Sequence, residues 1–497
     1  MDSPILGNLN IEFNQYSGKK KSLILSQILL KYISSGKLMI GQRLPSSRKL
    51  AEKLQVNRAT VTKAYEELEQ QGWINSKVGS GYYIQNIWDI EIPQKGMYNN
   101  GSADIEELIL KSKKFSDINK LSIPPIVPRL GLHLDDGFPD PKLSFLKEFY
   151  QAFRSQLNRG GYYYKYGCYG DPKGSERFRA VLANFLNDNR GFQISSNYIM
   201  SSNGTVMALN LISQSILLAG DSVIIERPCW KRAEQIFQFA NCHCIPVPVD
   251  QHGLIVDQVE EICLKRPIKL LYITPHHQYP TTVSLSLDRR LKLLELAKKY
   301  GFLIIEDDYD YDFQYSHSPL LPLASMDRSG HVIYCGSFSK NLSPAFRAGY
   351  IVADPKLIDL FAKVRLVVDR QGDHILDNTM AELIEDGTFK RYIRKSTVQY
   401  TDRREIMCKA MKSELQKFVE FEIPNGGLAV WVKFSPEIDL QLLSENCQKY
   451  DLFISNGQSH KYDDFNVNGI RLGFASSNEI DIKNAIGILK MIMTKKS

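Results

Sequence analysis

The sequence predicts an α/β protein in two bodies: a large domain over residues 131–497, preceded by a small basic helical domain over residues 18–85. Three observations carry this reading. A chain of 497 residues is longer than one hydrophobic core usually organises. Its formal net charge of +7 is uneven, because residues 1–85 hold 12 Lys and Arg against 6 Asp and Glu and the remainder is close to neutral. Beyond residue 131, apolar strand-like runs alternate with helical stretches, the pattern of a sheet covered by helices. The 43% hydrophobic and 24% charged content is that of a globular protein. No apolar run approaches the roughly 18 residues that span a bilayer, so no membrane partner is expected. Met1 to Tyr16 does not read as a signal peptide. Eight cysteines without a CxxC pair indicate reduced thiols rather than disulfides or a metal site.

In the small domain, Ile24, Ile28, Leu29, Tyr32 and Ile33 recur at helical spacing, so residues 22–34 are expected to be helical and to close near Gly36. Pro45 ends an extended segment, and Ser46 caps a second short helix through Leu54. Asn57 caps a third helix ending at Gly72, with Val61, Ala64, Tyr65 and Leu68 on its buried side. Arg58, Thr60, Thr62 and Lys63 face outward on its first turns. Short polar and basic side chains at that place can reach base edges and phosphates in a major groove. Residues 73–84 then read as two short strands around a Gly-Ser-Gly tip, a wing beside the helices. A basic module on a near-neutral body points to a polyanion, here double-stranded DNA. Residues 86–130, with Asn99-Asn100-Gly101-Ser102 and Pro124-Pro125, read as a linker in which Ile105 to Leu110 can form one short helix.

In the large domain, Ile199 to Leu209 reads as strand, glycine turn and helix. Backbone N–H groups at Gly204, Thr205 and Val206 would form an anion site there. Trp230 follows a strand and a proline. Phe302 to Ile305 is a buried strand ending in Glu306-Asp307-Asp308-Tyr309, and a carboxylate at such a strand end can bind a protonated pyridine nitrogen. Asp307 is expected in that role and Asp308 is the alternative. Lys340 stands just past the apolar strand His331 to Tyr334, flanked by Ser337 and Ser339 and followed by Arg347. An aldehyde cofactor carrying a phosphate needs such a set. A lysine shielded from water gives up its proton more easily and attacks as a neutral amine, while two hydroxyls and a planar guanidinium hold a phosphate dianion.

Ser337-Phe338-Ser339-Lys340 with Arg347 resembles the cofactor segment of fold-type I pyridoxal-phosphate (PLP) enzymes. Tyr169-Gly170-Asp171-Pro172-Lys173-Gly174 is similar to a stretch of aminotransferase-like domains whose tyrosine reaches the cofactor phosphate of the neighbouring subunit. The Leu44-Pro45-Ser46 segment with Arg48, and Asn57-Arg58-Ala59-Thr60-Val61, resemble a GntR-type winged helix-turn-helix, in which Arg48, Arg58, Thr60 and Gly79 stand at DNA-contacting places. Nearly the whole chain thus resembles the MocR/GabR subfamily of GntR regulators. The resemblance implies a cytoplasmic bacterial transcription factor, a head-to-tail homodimer with PLP on Lys340 and Tyr169 reaching across. It also implies that Trp230 stacks on the pyridine ring, that Tyr309 donates to the ring hydroxyl, and that Arg471 clamps a substrate carboxylate with Arg232 as a further candidate. A small amino acid or amine would then act as effector by external aldimine formation at Lys340. Two alternatives remain at this stage: a working aminotransferase with an appended DNA-binding domain, and a regulator of vitamin B6 synthesis sensing PLP itself. Tyr279-Pro280-Thr281-Thr282 stands where transaminases carry Asn-Pro-x-Gly, which argues against efficient transamination.

Overall fold

The computed structural model describes residues 20–77, 79–85, 131–134, 137–158, 167–315, 320–462, 465 and 467–494. The chain divides into two compact units, Met1–Lys120 and Leu121–Ser497. The expected linker at 86–130, with its short helix, lies outside the described residues.

In the first unit three helices, α1 (Lys21–Ser34), α2 (Ser47–Lys53) and α3 (Arg58–Gln70), precede an antiparallel hairpin of β1 (Ile74–Lys77) and β2 (Gly81–Ile84). The starts of α2 and α3 carry side-chain caps. Ser46 Oγ accepts from the Lys49 amide and Asn57 Oδ1 from the Ala59 amide, each satisfying a donor the first turn leaves open. Leu25, Leu29, Leu50, Val61, Tyr65, Ile74 and Ile84 close one core between helices and hairpin. Tyr65 is fully buried, and its hydroxyl donates to Pro45 O at 2.9 Å, which fixes the entry into α2. Losing that acceptor would leave a buried hydroxyl unsatisfied at a cost of about 1–3 kcal/mol.

The second unit begins with β3 (Leu132–Leu134), α4 (Leu146–Asn158), α5 (Glu176–Arg190), β4 (Ile199–Ser202), α6 (Thr205–Ile216), β5 (Ser222–Arg227), α7 (Lys231–Phe239), β6 (His243–Asp250), β7 (Gly253–Leu254), α8 (Val256–Lys265), β8 (Leu270–Ile273), α9 (Leu287–Tyr300) and β9 (Leu303–Asp308). It continues through β10 (Val332–Ser337), β11 (Gly349–Val352), α10 (Pro355–Val368), α11 (His374–Glu385), α12 (Thr388–Glu414), β12 (Val419–Phe421), β13 (Ala429–Phe434), α13 (Leu440–Gln448), β14 (Leu452–Ile454), β15 (Gly469–Gly473) and α14 (Glu479–Thr494).

Among the described residues the main sheet runs β4-β11-β10-β9-β8-β5-β6-β7. Its centre, β10-β9-β8-β5-β6, is parallel. These strands read as continuous apolar runs rather than alternating ones because both faces are covered. Leu209, Ile212, Phe237 and Phe361 pack α6, α7 and α10 on one face. Val256, Val259, Leu293 and Leu296 pack α8 and α9 on the other. A second, antiparallel sheet, β12-β13-β15, shares its own core with α12, α13 and α14. The parallel strands all point their carboxyl ends the same way, so the segments after β5, β8, β9 and β10 converge at one edge, where α/β sheets bind ligands.

One strained position lies at that edge. Thr282 adopts φ 63°, in the left-handed region that disfavours a β-branched residue. The conformation is fixed by its own amide donating to Gln278 O at 2.7 Å and by the Gln278 amide donating to Val283 O at 2.8 Å. Thr282→Gly is therefore expected to stabilise the second unit by up to about 1 kcal/mol, after subtracting the extra freedom glycine brings to the unfolded chain. A higher urea midpoint at unchanged slope is the expected reading; a lower midpoint would show that the threonine side chain contributes more than its backbone costs.

Candidate cofactor site and DNA-binding module

At the convergent strand ends lies a cavity of about 240 Å³ lined by Phe138, Thr205, Val206, Trp230, Tyr272, Thr274, Tyr279, Asp307, Tyr309, Ser337, Ser339, Lys340, Pro344, Arg347 and Arg471. Most of the residues singled out in the sequence meet here, although they come from segments hundreds of positions apart. Asp307 is carried by the last residues of β9, Ser337 by the end of β10, Trp230 by the turn between β5 and α7, and Arg471 by the middle of β15.

Strand alternation separates the two adjacent carboxylates. Asp307 lines the cavity, where its Oδ2 accepts from the Tyr272 hydroxyl at 2.7 Å and its Oδ1 is buried with no hydrogen-bond partner. Burial pushes the Asp307 carboxyl up to about 7, against the lowering effect of the Tyr272 hydrogen bond. Asp308 turns away: it accepts from Tyr334 at 2.7 Å and lies 3.9 Å from the fully buried Arg190, itself paired with Asp312 at 3.0 Å. Asp307 is thus the carboxylate the cavity presents.

Another part of the cavity wall suits an anion. Gly204 holds φ 79° at the start of α6, and a Cβ there would stand 2.6 Å from the Arg347 guanidinium. Arg347 reaches this spot because it adopts the left-handed conformation, φ 54°, after the turn Pro344–Phe346, and donates to Asn203 O at 3.2 Å. The amides of Thr205 and Val206, the hydroxyls of Ser337 and Ser339 and the Arg347 guanidinium surround one end, with the helix dipole behind them. On the same wall, Lys340 Nζ donates to Gly137 O at 2.7 Å and lies 4.9 Å from the Phe138 ring centroid.

Arg471 is almost fully buried and lies under Tyr279, 4.9 Å from its ring centroid, with Nη1 directed at the Tyr309 hydroxyl (3.4 Å) and Pro280 O (3.5 Å). Tyr309 donates to His277 O at 2.8 Å, and Asp310 holds the His277 ring at 2.6 Å. The Thr274–Tyr279 turn is organised by Glu226, which accepts from the Thr274 amide and hydroxyl, and by Gln278, which donates to Pro228 O. Burial pushes Glu226 up to about 7, its hydrogen bonds from Thr274 and Gln278 opposing the rise.

Two residues singled out in the sequence do not line this cavity. Arg232, half-buried on the first turn of α7, is not among the cavity's lining residues, so the structure does not place it with Arg471. Tyr169 is 73% exposed, with the Arg370 guanidinium 4.6 Å over its ring, and does not line the cavity of its own chain. Sequence reading missed Phe138, Tyr272 and Thr274. Tyr272 carries a legible signal, since β8 lies parallel beside β9 and a polar tip in a buried apolar strand needs a partner.

PLP would fit this set. The pyridine nitrogen would have a buried carboxylate oxygen to donate to, Asp307 Oδ1, which has no other hydrogen-bond partner. The phosphate has the glycine cradle at Gly204 with Arg347, Ser337 and Ser339.

In the first unit Arg48, Arg58, Lys63 and Gly79 are exposed and Thr60 and Thr62 half-buried. Arg58 Nε donates to Ser47 Oγ at 3.2 Å, which ties the first turn of α3 to that of α2. Arg43, on the strand-like entry to α2, lies against the wing at Gly81 and was not singled out in the sequence.

Residues 164–489 match the family of class I and II aminotransferases, and residues 24–84 match the gntR family of bacterial regulatory proteins. The chain is 29% identical to an uncharacterized HTH-type transcriptional regulator, YdfD, of Bacillus subtilis, over 91% of this chain and 92% of that protein. It is 25% identical to a probable rhizopine catabolism regulatory protein, MocR, of Rhizobium meliloti, over 92% and 90% of the two. Among solved structures, a multiple substrate aminotransferase from Thermococcus profundus aligns with a TM-score of 0.70 at 27% identity, covering 78% of this chain and 98% of that one.

Proposed function

From a chain that belongs to the aminotransferase class I and II family and carries a gntR-type module ahead of that domain, the organisation of the MocR/GabR regulators, we propose a PLP-dependent DNA-binding transcriptional regulator that senses an amino acid or amine. The observation that supports it most is the union, in one chain, of a capped basic helix-turn-helix with a cavity presenting Lys340, Asp307 and the Gly204–Arg347 cradle. The protein would act on an operator in the cytoplasm of a bacterium, as a head-to-tail homodimer in which Tyr169 serves the partner's cofactor site. Its strong exposure beside the Arg370 guanidinium supports that reading.

When bound, PLP supplies an electrophilic carbon and an electron-accepting ring. Lys340 would hold it covalently through Nζ, Asp307 would accept from its ring nitrogen, and Trp230 would cover its ring. Arg347, Ser337, Ser339 and the start of α6 would bind its phosphate, and Tyr309, positioned by His277 and Asp310, would orient its hydroxyl. Arg471 would orient a ligand carboxylate as a planar fork. Thermodynamics requires that ligand binding favour one arrangement of the protein over another if it is to alter DNA affinity.

Arg58→Ala tests the DNA-binding half. With a duplex selected from a random pool by the full-length protein, the variant is expected to bind about tenfold or more weakly and to show a salt dependence flatter by about one charge. It should take up PLP as the wild type does. Unchanged affinity, or loss of PLP in this variant, would contradict the two-module reading.

A further inference from the structure

Asp307 meets a phenol from the neighbouring strand, and the consequence of that contact rests on the reading of the cavity as a PLP site. We propose that Tyr272 is a positioning residue for Asp307: its hydroxyl fixes one carboxylate oxygen, directs the other at the cofactor's ring nitrogen, and so keeps a proton on that nitrogen.

The contact follows from strand register. β8 and β9 run parallel, with Tyr272 beside Ile305. Side chains alternate along a strand, so Asp307, two residues past Ile305, shares a face with Tyr272 and Asp308 lies on the other. The phenol reaches forward across that step, and its hydroxyl donates to Asp307 Oδ2 at 2.7 Å. Its ring is set in place by the Phe237 ring of α7, edge to face with centroids 5.9 Å apart. Tyr272 and Asp307 are both buried and both line the cavity. With Oδ2 taken, Oδ1 is the buried oxygen without a hydrogen-bond partner. The carboxylate cannot turn Oδ1 away without breaking the bond at Oδ2, and a broken bond to a buried group costs its full desolvation.

The surroundings disfavour charge on Asp307, which gives the phenol its second effect. Asp308 and Asp310 on the same segment repel the carboxylate, and Glu226 at the end of β5 feels it in turn. Cys335 of β10 lies directly beside Asp307, and Cys229 lies near Tyr272; burial keeps both thiols protonated. Lys340 shares the cavity wall. Burial raises the Asp307 carboxyl to about 7, and the Tyr272 hydrogen bond opposes the rise. A hydrogen bond to a charged acceptor is the stronger kind, so it favours the ionised carboxylate over the neutral acid. Burial, and then the Asp307 charge, hold the Tyr272 phenol well above the usual tyrosine value, so it remains a donor.

The test loads the full chain with PLP carrying 15N in its ring and follows the nitrogen's chemical shift, which reports whether it is protonated, as the pH is raised. Tyr272→Phe deletes the hydroxyl and keeps the ring that packs on Phe237. In this variant the nitrogen is expected to lose its proton about one pH unit or more below the wild type, and half-saturation with PLP to need about tenfold more cofactor. Replacing Tyr272 with 3-fluorotyrosine, a more acidic donor of nearly the same shape, is expected to move the titration the other way, to higher pH. In an Asp307→Asn background, Tyr272→Phe should change PLP half-saturation by less than about twofold, because no carboxylate remains to be positioned. A merely structural tyrosine would weaken PLP binding equally in both backgrounds and leave the nitrogen's titration in place; either result would overturn the inference while leaving the PLP site standing. If Tyr272→Phe fails to fold, the fluorinated protein decides: a titration unmoved or moved downward overturns the inference. A wild-type chain that takes up no PLP would overturn the cofactor reading itself, and the inference with it.

Discussion

Lys340→Ala is expected to abolish covalent retention of PLP by the full chain. Borohydride reduction of the loaded wild type, followed by peptide mass mapping, should place one phosphopyridoxyl group on the peptide containing Lys340, and none on the variant. The reason is positional. Among the described residues Lys340 is the amine on the cavity wall, which also carries Asp307 and Arg347, and its Nζ donates to Gly137 O at 2.7 Å. The variant keeps every other described wall residue and should still bind PLP reversibly through the Arg347 end. An adduct on another lysine in the wild type would move the site elsewhere on the chain.

Asp307→Asn should have opposite effects on the empty and the loaded protein. In the empty protein the Asp307 carboxyl is pushed up to about 7 by burial. Between the unfolded value near ~4 and about 7, the folded chain holds a proton that the unfolded chain has released, so folding stability falls as pH rises through that window. Asparagine removes this ionisation and can still accept from the Tyr272 hydroxyl. The empty variant should therefore outlast the empty wild type at pH 8, by a few kcal/mol at roughly 1.4 kcal/mol per pK unit, and match it near pH 4. Glu226 and Glu306, both pushed up to about 7 by burial, keep part of the pH dependence in the variant. PLP reverses the order, because a pyridinium proton supplies the charge that the carboxylate lacks. Added PLP should raise the wild type's melting temperature at pH 8 more than the variant's. A variant that is less stable when empty, or stabilised as much as the wild type by PLP, would contradict this role for Asp307.

Much of the site could be read in the sequence because its parts sit at element ends that local pattern identifies. Lys340 follows an apolar strand, Gly204 precedes a helix, and Asp307 ends a strand whose buried run is unmistakable. The choice between Asp307 and Asp308 could not be read, since alternation says that they face opposite sides without saying which side holds the cavity. The positions of Arg190 and Tyr334, which take up Asp308, decide it. Phe138 was illegible for a different reason. It reaches Lys340 through a contact between residues some 200 positions apart, and no periodicity in the Gly137–Asp140 segment announces it. Arg232 shows the limit from the other side: a charge two residues beyond Trp230, on the first turn of a helix, is not among the residues lining the space that Trp230 lines. The helix-turn-helix was the most legible part, since its caps Ser46 and Asn57, its apolar positions and its glycine turn all have short-range causes.

In the proposed switch, ligand chemistry at Lys340 governs the DNA module. Its most direct test is the affinity of the PLP-loaded full chain for a protein-selected duplex, measured with and without the amino acid that shifts its absorption, in the wild type and in Lys340→Ala at one salt concentration. The amino acid is expected to change wild-type affinity by about fivefold or more and to leave Lys340→Ala unmoved. Equal responses in the two proteins, or none in the wild type despite a shifted cofactor band, would contradict it.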